Sequence, residues 1–121
     1  MSPAEELTAL YEQWRSLTTA EGHAIQAADW DQVTQCQTAK SRLQPRIVEV
    51  SQRLEVAVHE AQFRPVVEQL MEMERANHAQ LQAQRHSAEL QKRQLDQSSR
   101  HLRQLHQSYV PASRAHWQSY S

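Results

Sequence analysis

Apolar residues recur at three- and four-residue steps almost from the start of the chain. Leu7, Leu10, Trp14, Leu17, Ala24 and Ala28 alternate in this way, with Tyr11 and Ile25 on the flank and Glu21 as the one polar interruption. Such spacing puts one apolar stripe along an α-helix. Ser2 is placed to cap it, Pro3 suits the first helical position, and Glu5 three residues on completes a capping-box spacing. The first helix is therefore expected over about residues 3–27. Gly22 in its interior costs about 1 kcal/mol relative to Ala, so it marks either a close approach by a neighbour or a weak turn.

The chain is expected to reverse around Ala27-Ala28-Asp29-Trp30, where Asp29 and Gln32 repeat the capping spacing. Val33, Cys36, Leu43, Ile47, Val50, Leu54, Ala57 and Ala61 then follow a heptad, with Lys40 as its polar member. Pro45 falls inside this pattern without disturbing its phase, which predicts a kink near Arg42–Pro45 rather than a stop. The residue before a proline avoids helical geometry, so the second helix should end near Ala61 and a third begin at Pro65. These boundaries are about 30–61 and 65–109.

The third stripe comprises Val67, Leu70, Met71, Leu81, Ala88, Leu95, Leu102, Leu105 and Tyr109, and from Leu81 to Tyr109 it repeats every seven residues. Its partner positions are Asn77, Gln84, Gln91 and Ser98, so the seam is narrow. At about 1.5 Å per residue this helix outruns the other two, and its leucines need cover from elsewhere. Either it folds back as a fourth helix or it packs against another chain. The expected fold is all-α: an elongated antiparallel bundle of three helices, or four, with coiled-coil-like packing over residues 1–110. A flexible tail is expected at 111–121.

Composition supports this class and removes others. A single Gly and four Pro in 121 residues leave too few turn residues for a β-sandwich, or for the phosphate loops of a doubly wound fold. Eighteen glutamines read as uncharged helical surface. The net charge is −1, but residues 1–36 carry six acids and one base while residues 85–121 carry six bases and two acids. Such a dipolar chain suits antiparallel packing of its first and last helices or a partner of mixed charge, and the plainer reading is two solvated faces. The bases of the third helix (Arg85, Lys92, Arg93, Arg100, Arg103) are spread among Glu89 and Asp96, unlike a DNA-reading basic region, so no nucleic-acid partner is expected.

Chemistry has few candidates. Glu55/His59 and Glu74/His78 each have one residue too many for the Glu-x-x-His of a di-iron bundle, and His101 and His106 are five apart. No metal, cofactor or catalytic residue is expected, and Cys36, on an apolar stripe, reads as inert packing. One cysteine, no basic-and-apolar leader and no run of about 18 apolar residues point to a cytoplasmic protein without a membrane span.

The stretch Leu17-Thr-Thr-Ala-Glu21, Ala24-Ile25, Ala27-Ala28-Asp29-Trp30, Val33, Lys40 and Leu43 resembles the flagellar export chaperones of the FlgN/FliT type. The resemblance implies a cytosolic chaperone that binds C-terminal helical segments of flagellar structural subunits and delivers them to the type III export apparatus. Recognition of that kind lays an amphipathic helix on an exposed apolar strip. The strip expected here is Leu95, Leu102, Leu105 and Tyr109, with Trp117 and Tyr120 as a shielding tail, while Asp29 and Trp30 cap and fill the bend. The alternative is a homo-oligomeric coiled-coil scaffold or adaptor without an export role, and a homodimer is one expected form.

Overall fold

The computed structural model describes residues 1–108. It consists of three helices, α1 (Pro3–Gln26), α2 (Trp30–Ser51) and α3 (Val56–Ser108), and no strand occurs among the described residues. The chain divides into two compact units, Met1–Gln84 and a second beginning at Arg85. That differs from the single body expected over 1–110. The expected tail at 111–121, with Tyr109, Trp117 and Tyr120, lies outside the described residues.

Both expected caps form. The Ser2 side chain accepts from the Glu5 amide at 3.2 Å, and Asp29 Oδ1 accepts from the Gln32 amide at 3.2 Å. The α1–α2 reversal needs a left-handed residue, and the sequence supplies Ala28 there (φ 54°) rather than glycine. The strain of about 1 kcal/mol is offset locally, because the Asp29 amide reaches the Ala24 carbonyl at 2.9 Å and closes the end of α1.

The second turn falls at residues 52–55, not at 61–65 as the proline rule suggested. Ser51 Oγ donates to the Val48 carbonyl at 2.8 Å, and the Arg53 and Leu54 amides bond back to Val50 and Ser51. The reversal lets Phe63 fold back onto Tyr11, with ring centroids 5.6 Å apart, and buries it. Tertiary burial thus decides the boundary. Pro45 lies inside α2 and Pro65 inside α3, and both are exposed, as are Ser41 and Ala61 four residues before them. Water can therefore serve the carbonyls whose amide partners the prolines lack.

Within the first unit α2 runs antiparallel to α1 and α3 runs parallel to it. The main core joins Leu7, Leu10 and Tyr11 of α1, Val50 of α2, and Phe63 and Leu70 of α3, with Trp14, Leu43 and Ile47 packed against them. A smaller cluster of Ala24, Ile25 and Val33 sits at the α1–α2 turn, with Leu81 against it. Ala57 and Ala61, expected on the core stripe, are exposed, because the chain turns before they would reach it. The backbones of α1 and α2 run close together, whereas α3 stands further off and is reached by side chains.

Candidate functional site

Two features follow from that spacing. The first is a polar network at the centre of the three helices, built from the residues that interrupt the apolar stripes. Lys40 Nζ lies 3.1 Å from Glu21 Oε1 and 2.6 Å from Glu74 Oε1. Glu74 Oε1 also accepts from Trp14 Nε1 at 3.1 Å and from Thr18 Oγ1 at 2.9 Å, and the Lys40 ammonium sits 5.4 Å from the centroid of the Trp14 ring. Asn77 Nδ2 donates to the Thr18 carbonyl at 2.9 Å and to Glu21 Oε1 at 3.1 Å. Thr18, Glu21 and Lys40 are buried, and Glu21 Oε2 is buried without a protein hydrogen-bond partner.

Gly22 allows this arrangement. A Cβ there would meet Asn77 Oδ1 at 2.8 Å, so of the two expected readings the close approach is the one realised. Further along α3, Gln84 Nε2 donates at 3.0 Å to the Ile25 carbonyl, which also accepts from the Ala28 amide at the end of α1. At the other end Tyr11 Oη and His59 Nε2 are 3.1 Å apart, and burial raises the Tyr11 phenol above its ordinary value. Arg46 bridges Glu6 of α1 and Glu49 of α2 on the surface, holding the Glu49 carboxyl below its usual range. These exposed pairs add little to stability.

The second feature is an apolar groove of about 480 Å³ between α2 and α3. Its α2 wall is Gln44, Ile47 and Val48, and its α3 wall runs from Val67 through Leu70 and Met71 to Glu74 and Arg75. Tyr11 and Trp14 of α1 form the floor. Val48 and Met71 are 46% and 53% exposed at its mouth, so the groove is open to a side chain from outside. Val67, Leu70 and Met71 were legible as a stripe, but nothing in the sequence tells how far α3 stands from α2.

The second unit carries the expected docking strip. Every residue from Arg85 to Leu105 is exposed. Leu95 and Leu102 retain 68% and 65% of their surface, and Leu105 retains 45%. Leu95 and Leu102 lie seven residues apart, so they share one helical edge, and Arg85 and Lys92 follow the flank of that edge with the same step.

No group of three or more His, Cys, Asp or Glu side chains is arranged to hold a metal among the described residues. Cys36 is buried, with Gln32 Nε2 3.8 Å from its sulfur. Trp30, expected to fill the bend, is 45% exposed, while Asp29 caps as expected. No described helix is long and apolar enough to cross a membrane. Comparison with protein-family models, with characterised proteins and with solved structures finds no match to this chain.

Proposed function

We propose that the chain is a helix-binding chaperone whose docking surface is the leucine edge of the second unit. The supporting observation is the exposure of Leu95 and Leu102 on one edge of α3. An amphipathic partner helix laid along that edge would cover leucines now in water, at about 25 cal/mol per Å² of apolar surface removed from solvent. The resemblance of residues 17–43 to the FlgN/FliT type supplies the cargo class: C-terminal helical segments of flagellar structural subunits, held in the cytosol and passed to the export apparatus.

The test is titration of the full chain with synthetic C-terminal helices of flagellar subunits, read by calorimetry. A one-to-one complex is expected, and Leu102→Asp should abolish it while far-UV helicity stays near wild type. Binding that survives Leu102→Asp would move the site elsewhere, and indifference to every such peptide would end the chaperone reading. The seven-residue step also suits a homo-oligomeric scaffold. That alternative requires an assembly that persists on dilution and ignores the peptides.

A further inference from the structure

The two reversals of the first unit are built differently. The α1–α2 turn uses a left-handed residue, Ala28, and a side-chain cap, Asp29. The α2–α3 turn has no left-handed residue. It is Gln52-Arg53-Leu54-Glu55, four good helix formers, where turns usually hold Gly, Pro, Asn, Asp or Ser. None of the four has a positive φ, and Gln52 still has right-handed helical geometry (φ −68°, ψ −19°). The apolar spacing also runs through the turn, from Val50 to Leu54, Ala57 and Ala61. Local sequence therefore specifies one helix where the fold makes a reversal.

We propose that residues 52–55 are a hinge through which two copies exchange the first part of α3. When the hinge straightens, α2 runs on into α3 as one helix. Residues 56–84 then leave their own α1–α2 pair and seat on that of a second copy. The fold itself fixes this occupant: the surface left behind is already shaped to the segment, and the second copy's segment is identical. Each copy regains Lys40 against Glu74, Asn77 on Thr18 and Glu21, and Phe63 against Tyr11, now across the interface. Because these contacts are the same in one copy or two, the balance rests on the hinge and on the cost of association. Straightening gives up the bonds that close the turn, from Ser51 Oγ to Val48 and from the Arg53 and Leu54 amides to Val50 and Ser51. In exchange, the last carbonyls of α2 and the first amides of α3, groups that helix ends leave open, join one ladder. The Arg53–Glu49 pair, four residues apart and 2.8 Å long, is one that a continuous helix keeps. Ala57 and Ala61, exposed in the single copy, gain cover where two straightened helices related by a twofold axis pass each other. The exchanged segment is suited to leave, since the backbone of α3 stands off from α1 and α2 and side chains hold it.

The test is one of topology. Gly22 of α1 and Asn77 of α3 meet closely, with a Cβ at position 22 lying 3.6 Å from Asn77 Cγ. Gly22→Cys/Asn77→Cys, with Cys36→Ser to leave no other thiol, should form a disulfide. In a single copy that bond closes within one chain, and after exchange it joins two. The full chain is refolded at low and at high concentration, without peptide, then separated by size and oxidised. The dimer fraction should rise with refolding concentration, and the oxidised dimer should stay covalent in denaturant. Val56→Pro, in the otherwise unaltered chain, gives a second reading. Val56 is the first residue of α3 and 80% exposed, where proline suits the reversed form. Inside a straight helix the same proline disfavours each copy by about a hundredfold. This variant should keep wild-type helicity and lose the dimer. Monomer at every refolding concentration would overturn the proposal, and so would a dimer undiminished by Val56→Pro. Dimers whose disulfides all close within single chains would also overturn it, and would identify pairing through the leucine edges instead. No cargo enters the test, so its failure and that of the chaperone reading are distinguishable.

Discussion

Lys40→Ala is expected to destabilise the first unit by about 3–5 kcal/mol, because it leaves the Glu21 carboxylate in the interior without its cation. Glu21 is buried and Glu74 about a third exposed, and both direct an oxygen at the Lys40 ammonium. The ammonium is the only positive group within bonding distance of either carboxylate among the described residues. Thermal unfolding should fall by about 15 °C or more, given that 1 kcal/mol moves the midpoint of a domain this size by about 4–8 °C. The loss should shrink sharply in Lys40→Met/Glu21→Gln/Glu74→Gln, where no charge is stranded. An unchanged midpoint in Lys40→Ala would mean that the carboxylates reach water in solution and that the network does not hold α3 in place.

Phe63→Ala should cost a similar amount, about 3–5 kcal/mol, by a different route. Phe63 is 3% exposed and stacks at an angle on both Tyr11 and His59, with centroids 5.6 Å away in each case. Removing its ring leaves a cavity beneath the start of α3, a helix whose backbone does not approach α1 closely enough to collapse into the space. The native-state consequence should be local. Amide exchange near residues 56–66 is expected to accelerate more than exchange in α1, since α1 keeps its contacts with α2. Uniform acceleration across all three helices would instead indicate that α3 and the α1–α2 pair unfold as one.

Much of this fold is written into local sequence, and the exceptions have physical causes. Ser2 and Asp29 cap as their spacing requires, since a cap depends on only three or four consecutive residues. Leu7, Leu10, Tyr11, Ile25, Val33, Cys36 and Val50 are buried where the stripes placed them. Pro65 misled because the rule against helix before proline is a local preference, and the burial of Phe63 outweighs it. Glu21 and Lys40 were visible only as separate flaws in two stripes. They are partners, nineteen residues apart and facing each other across the α1–α2 turn, and opposite charges interrupting the stripes on either side of one reversal were the signal for it. The leucine edge was legible from its seven-residue step. The groove was not, because its width is set by how far α3 stands from α2, and no residue pattern encodes that distance.

The buried thiol at position 36 gives the molecule a built-in clock. It is the sole cysteine in the chain and is 2% exposed. A maleimide can reach it only while the structure around α2 is open, so the labelling rate of the native protein, with nothing replaced, counts those openings.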